Sequence, residues 1–177
     1  MLLRIVFVVA FLLLAVLGLA ALKPPRLKIE RSVVINAPVD KVYGLVNDFH
    51  NWKEWAPGDK DDPTIQRSYS GAASGVGAAS DWQGRGSTGA GHMAITGGAQ
   101  DAQVEVTVDF ARPFVAHNVN TFWIKAAAAS GPTKVTWNFD GQNVYMLKLM
   151  GLFMNMDHFM GRHFEQGLQN LKAAAEK

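Results

Sequence analysis

A carboxylate set into an apolar helical stripe is the residue in this chain best placed to do chemistry. Met146, Met150, Phe153, Met160, Phe164, Leu168 and Leu171 recur three or four apart, and Asp157 falls where the next apolar residue belongs, between Phe153 and Met160. Unpaired and buried, such a group costs several kcal/mol and responds with a raised pKa. Two roles fit it. It is a polar anchor or general acid/base in the wall of an apolar pocket, or it is a structural carboxylate satisfied by a tryptophan N–H, a tyrosine hydroxyl or an arginine.

Other chemistries find little support. The chain has no cysteine, which removes thiol nucleophiles, disulfides and Cys-ligated metals. His50, His92, His117, His158 and His163 are scattered, and the last two point about 140° apart on a helix, so they cannot share a metal and read as surface or edge residues. Asp59, Asp61 and Asp62 lack the glycine and bidentate glutamate of a calcium loop and read as a solvated turn. Gly84-Arg85-Gly86-Ser87-Thr88-Gly89 matches a dinucleotide-binding pattern, but Gly91-His92-Met93-Ala94-Ile95 follows with strand character. No helix N-terminus is then available for a pyrophosphate, and a kinked hairpin is expected. No metal or cofactor is called for, and a formal net charge of +2 leaves no basic surplus for nucleic acid.

The elements that must position Asp157 are those of one α+β domain. Arg26 to Ile35 has strand composition and ends at Asn36-Ala37-Pro38, after which a short helix is expected to about Asn47. An aromatic turn or short helix, Phe49 to Pro57, and a polar loop, Gly58 to Pro63, come next. From Thr64 to Gly141 antiparallel strands are expected. Val104, Val106, Val108 and Phe110 alternate with polar residues, as do Val135, Trp137 and Phe139. Ten of the 17 glycines lie between Gly58 and Gly98, where Trp82, Met93 and Ile95 suggest short strands with bulges. Ala111-Arg112-Pro113 and Ser130-Gly131-Pro132 signal turns. From about Val144 to Ala175 the stripe predicts one helix of about 45 Å lying across the sheet.

The 49% hydrophobic content is unevenly spread. Ile5 to Leu22 is an uncharged run of 18 residues, about 27 Å as a helix, bounded by Arg4 and by Lys23-Pro24-Pro25-Arg26. A cleavable signal peptide and a retained anchor compete, since Gly18-Leu19-Ala20 offers small residues to a peptidase. The length of the run and its Pro-Pro stop favour an anchor through residues 5–22. Lys23, Arg26, Lys28 and Arg31 favour a cytoplasmic soluble side over a periplasmic or extracellular one. The division is thus 1–25, anchor and linker, and 26–177, soluble domain.

Several segments resemble one family. Val33-Val34-Ile35-Asn36-Ala37-Pro38-Val39-Asp40-Lys41-Val42-Tyr43 is similar to the opening of the polyketide cyclase/dehydrase and lipid-transport families of the SRPBCC superfamily. Asn47-Asp48-Phe49 and Trp52 to Pro57 resemble the tryptophan-bearing segment after it. Asp81 to Gly84, Val108 to Pro113 and Thr133 to Trp137 resemble its strands, and Met156 to Gly161 with Phe164 to Lys172 the closing helix of its bacterial membrane-anchored members. The resemblance implies a helix-grip fold of the START/Bet v 1-like kind, a curved antiparallel sheet around a long C-terminal helix with an apolar cavity between them. The residues expected at that cavity are Trp52, Trp55, Trp82, Met93, Phe110, Trp137, Phe153, Asp157 and Met160. The expected function is a membrane-anchored binding domain for a small hydrophobic or amphipathic ligand, a lipid or aromatic metabolite. Alternatives are a cyclase/dehydratase-like enzyme using Asp157, or a protein-docking module at the membrane.

Overall fold

The computed structural model describes residues 1–126 and 131–177. Helix α1 (Leu2–Ala21) leads into β1 (Arg26–Ile35), then α2 (Val39–Asn47), a 3-10 turn (Phe49–Glu54) and α3 (Pro57–Asp61). Six strands follow: β2 (Gln66–Gly71), β3 (Ala78–Gln83), β4 (Ala90–Ala99), β5 (Gln103–Arg112), β6 (Ala116–Ala126) and β7 (Thr133–Gln142). Helices α4 (Tyr145–Met150) and α5 (Met156–Ala175) close the chain. The strands form one antiparallel sheet in the order β1-β7-β6-β5-β4-β3-β2, so the first strand returns to pair with the last.

Period-2 alternation decides which face is buried, as in any sheet with one wet side. Val104, Val106 and Val108 of β5 and Val135, Trp137 and Phe139 of β7 point inward. α5 lies along β1 and covers this face with Phe164, Leu168 and Leu171. The glycine-rich region forms β2, β3 and β4, with register shifts at Ala90/Gly91 and Ile95/Gly97. Gly84 to Gly89 is a hairpin loop with a 3-10 turn at Gly86–Thr88, as its strand flanks require. Gly89 has φ +61, and a Cβ there would meet the backbone oxygen of Arg112. The turn signal at Ser130 lies outside the described residues; β7 begins just beyond it, at Thr133.

Three expectations are corrected. The C-terminal helix is two helices, because the chain turns at Gly151 and restarts at Asn155, whose side chain accepts the His158 N–H at 3.1 Å as an N-cap. Pro57 to Asp61 is helical rather than loop, with proline in the first turn. Asp59 is no solvated turn residue: it is 5% exposed and paired with Arg67, itself 10% exposed.

All of α1 except Ala20 stays outside the packed interior, so it is not a core helix of the domain. It is long and apolar enough to cross a membrane.

Candidate functional site

The inner face of the sheet reads as rows of residues in register. At one end stand Arg67, Trp82, Gly91, Phe110 and Ala116, from β2 to β6. Next come Ser80, Met93, Val108, Asn118 and Gly141, and then Ile95, Val106, Asn120 and Phe139. Beyond these lie Val104, Phe122 and Trp137, and finally Ile124 and Val135.

Packing differs between the two ends. Beneath α2, the 3-10 turn and the C-terminal half of α5, the core is closed: Val42, Val46, Phe49, Trp55, Phe122, Ile124, Leu168 and Leu171 have essentially no solvent contact. The tryptophans make this end. Trp52 and Trp55 donate their indole N–H groups to the carbonyls of Val46 and Leu45, both at 2.9 Å, which fixes the turn onto α2. Trp55 then meets Phe122 and Trp137 edge-on at 5.9 and 6.0 Å, and Trp137 meets Phe164 at 4.7 Å.

At the other end the grip is looser. Phe110 and Met160 are only partly buried, although Val108, Phe139, Met156 and Phe164 around them are buried. Here α5 stands over the edge strand β1, where Gly161 leaves room for the Arg31 guanidinium. Trp82 lies over Gly91, where any Cβ would collide with its ring, and meets Phe110 edge-on at 5.2 Å. Its N–H donates to the Thr88 carbonyl at 3.0 Å, which ties the hairpin loop to β3.

Polar groups are set into this apolar end. Asn120 accepts the Trp137 N–H at 2.8 Å, and Asn118 accepts the Gln142 backbone N–H at 3.2 Å. The buried Ser80 hydroxyl has no partner among the described residues. Arg67 donates to Asp59 at 2.7 Å through Nε and also through Nη2, and its Nη1 lies 4.0 Å from the Met93 sulfur. None of these polar residues figures among the expected site residues. Asn118 and Asn120 were legible, since they share the phase of Phe122 and Ile124 on β6; Arg67 and Asp59 were not, because their pairing depends on α3 meeting β2.

Of the expected cavity residues, Trp82, Met93 and Phe110 lie on adjacent strands at this end and Met160 packs against the same core, while Trp52 and Trp55 sit in the closed half and Trp137 packs on Trp55 and Phe122 there. Phe153 is 76% exposed on the link between α4 and α5, because the break in the helix takes it off the stripe. Asp157 is likewise not buried on the stripe; its side chain is 57% exposed.

Arg31 explains Asp157. Its Nη2 donates to the Asp157 carboxylate at 2.9 Å and its Nε to Glu165 at 2.6 Å, while Nη2 also reaches the Asp157 carbonyl. The hydrogen bond from Arg31 holds the Asp157 carboxyl below its ordinary 3.8, the opposite of the rise expected from burial. A carboxyl lowered on folding stabilises the fold above its unfolded pKa, and that contribution is lost as pH falls through the lower folded value. Asp157→Asn is therefore expected to cost under about 1 kcal/mol near neutrality, since the pair is half in solvent. The difference from wild type should begin to shrink in urea unfolding as pH falls below the ordinary 3.8 and vanish only below the lower folded value, where the native carboxylate is protonated too. A gap that persists unchanged at pH 3 would contradict this account.

The outer face carries a different feature, a groove of about 330 Å³ lined by Glu30, Trp123, Lys125, Lys134, Thr136 and Asn138. Apart from it, the outward-facing residues Asp81, His92, Asp109 and His117 of β3 to β6 form a row of alternating acid and histidine, with His92 bonded to Asp81 at 2.8 Å and His117 paired with Asp109. These histidines are exposed, as expected. Among the described residues no three His, Asp or Glu side chains are grouped to hold a metal.

Solved structures with this architecture are numerous. Ginseng major latex-like protein 151 from Panax ginseng superposes with a TM-score of 0.61 at 14% identity, over 87% of this chain and all of that one. A hypothetical protein of Helicobacter pylori gives 0.64 at 9% identity, over 84% of this chain and 88% of its own. A protein of Chromobacterium violaceum gives 0.58 at 14%, over 87% and 99%. At such identities the likeness establishes the fold alone, which is the Bet v 1/START-like helix grip. No curated protein matches the sequence. The sequence itself matches one family model over residues 26–176, nearly the whole chain after α1, and the protein therefore belongs to the polyketide cyclase / dehydrase and lipid-transport family.

Proposed function

We propose that residues 26–177 form a binding domain for a small hydrophobic or amphipathic molecule, a lipid or aromatic metabolite, and that α1 with the linker to residue 25 is a retained membrane anchor. The family and the fold support a hydrophobic ligand. The observation that carries the reading is the gradient of packing along the grip. One half is closed by tryptophans. The other keeps partly accessible Phe110 and Met160 beside Asn118, Asn120 and the unpartnered Ser80 hydroxyl, an apolar wall with few polar groups to orient a ligand. Met93 and Met160 suit such a wall because their unbranched thioethers adapt to irregular shapes.

Tethering gives this binding a purpose, since it holds the domain at the surface where a lipid ligand resides. Lys23, Arg26 and Lys28 stand against Arg4, and that bias favours the cytoplasmic side for the domain. The argument that nominated Asp157 as an acid/base rested on burial, which it does not have, so the enzymatic alternative lacks a motivated proton-transfer residue.

Native mass spectrometry of the full chain, extracted from membranes and released from detergent micelles, tests the binding. The expected spectrum contains a species heavier than the chain by one lipid-sized molecule. Repeated recovery of the bare chain alone would overturn the reading.

A further inference from the structure

Helix α4 has the sequence YMLKLM, and although five of its six residues are apolar, none is buried. Exposure continues past it through Phe153, Met154 and Phe159. A soluble domain seldom leaves so many large apolar side chains together in water without a surface to meet them.

The position of this patch identifies that surface. α4 packs on the last turn of α1, where the Tyr145 hydroxyl donates to the Leu17 carbonyl at 2.9 Å. The linker is pinned as well: Asn143 donates its side-chain amide to the Pro24 carbonyl and its backbone N–H to that of Pro25, both at 2.9 Å. α1 is therefore held against the domain at its end rather than swinging on a loose tether. Its 20 residues span about 30 Å, one hydrocarbon core, so its last turn stands at the lipid–water boundary. Tyr145 and the rest of α4 then lie at that boundary too, where tyrosine is favoured.

Antiparallel register brings more of the chain to the same level. The start of β1, the end of β7 and the turn between β5 and β6 share one end of the sheet. That turn carries Phe114 and Val115, the latter 79% exposed. Trp82, Phe110 and Asn118, from the looser half of the grip, also stand at this end. Lys23, Arg112 and Lys148 also gather here, and none has an ion-pair partner among the described residues. The nearby carboxylates of Asp59, Asp140 and Asp157 are each engaged by arginine, and Asp62 accepts the backbone N–H of Arg85, whose charge favours the ionised carboxylate.

We infer that α4, the 151–155 link, Phe159 and the Phe114–Val115 turn form a contact surface for an anionic lipid bilayer around the mouth of the groove. Apolar side chains enter the interface and Lys23, Arg112 and Lys148 meet anionic headgroups. A hydrophobic ligand then passes between bilayer and groove without crossing water. This inference rests on α1 being a retained anchor.

The absence of cysteine makes the test direct, because one introduced cysteine takes one label. Full-length Leu12→Cys, Val115→Cys, Phe153→Cys and Gln100→Cys variants would each carry an environment-sensitive fluorophore in vesicles of phosphatidylcholine and phosphatidylglycerol containing nitroxide-labelled lipid. Quenching is expected at Leu12, at Val115 and at Phe153, and not at Gln100, which lies in the turn between β4 and β5 at the opposite end of the sheet. Quenching at Leu12 with Val115 and Phe153 as unquenched as Gln100 would overturn the inference and leave the anchor intact. An unquenched Leu12 would overturn the anchor, and the inference with it. Equal quenching at Gln100 would overturn the orientation claimed for the domain.

Discussion

Truncating Trp55 to alanine is expected to destabilise the domain by about 3–5 kcal/mol, the range for removing a fully buried tryptophan. Its ring has no solvent contact and packs against Trp52, Phe122 and Trp137, so the neighbours can collapse into the space only by giving up their own edge-to-face geometry. The Leu45 carbonyl also loses the donor that fixes the 3-10 turn to α2. For a chain of this size such a loss lowers Tm on the order of 10 °C. Calorimetry or urea unfolding would measure it. A loss below about 1 kcal/mol would mean that this end of the grip is not packed solid, and the ligand space proposed for the other end would then extend into it.

Asp59→Ala is expected to cost about as much, 3–5 kcal/mol, for an electrostatic reason. Both partners of the pair are almost fully buried, so removing the carboxylate strands the Arg67 guanidinium in an apolar wall beside Met93. The double variant Asp59→Leu with Arg67→Met removes both charges and should recover much of the loss. If the single and double variants were equally unstable, shape rather than charge would account for the effect. The pair holds α3 to β2, and α3 in turn packs on α5 where Gly167 admits the Pro57 ring, so it also helps to seat α5.

Much of the fold could be read along the chain because the relevant signals are local. Alternation in Val104 to Phe110 and Val135 to Phe139 sets the inner face, proline and asparagine end β1, and an uncharged run sets α1. The stripe of Phe164, Leu168 and Leu171 was equally legible. Its extension back through Phe153 was not, because periodicity counts residues and does not register that Asn155 can cap a new helix after a turn at Gly151.

The composition of the wall was likewise in the sequence: Trp82, Met93, Phe110, Trp137 and Met160 are the kinds of residue an apolar groove uses. Which of them share one end of the sheet was decided by the tertiary structure. Spacing could place Asp157 on a helix face, but only the docking of α5 against β1 brings Arg31 to it and turns an expected buried acid into a half-exposed ion pair. Asp59 shows the converse, since three nearby aspartates look solvated until α3 meets β2 and one of them is buried against Arg67. Periodicity depends on neighbours within about a turn of helix or a pair of strand residues. The burial and charge of a side chain depend on partners far along the chain, 126 positions away for Arg31 and Asp157, and those are set only when the elements pack.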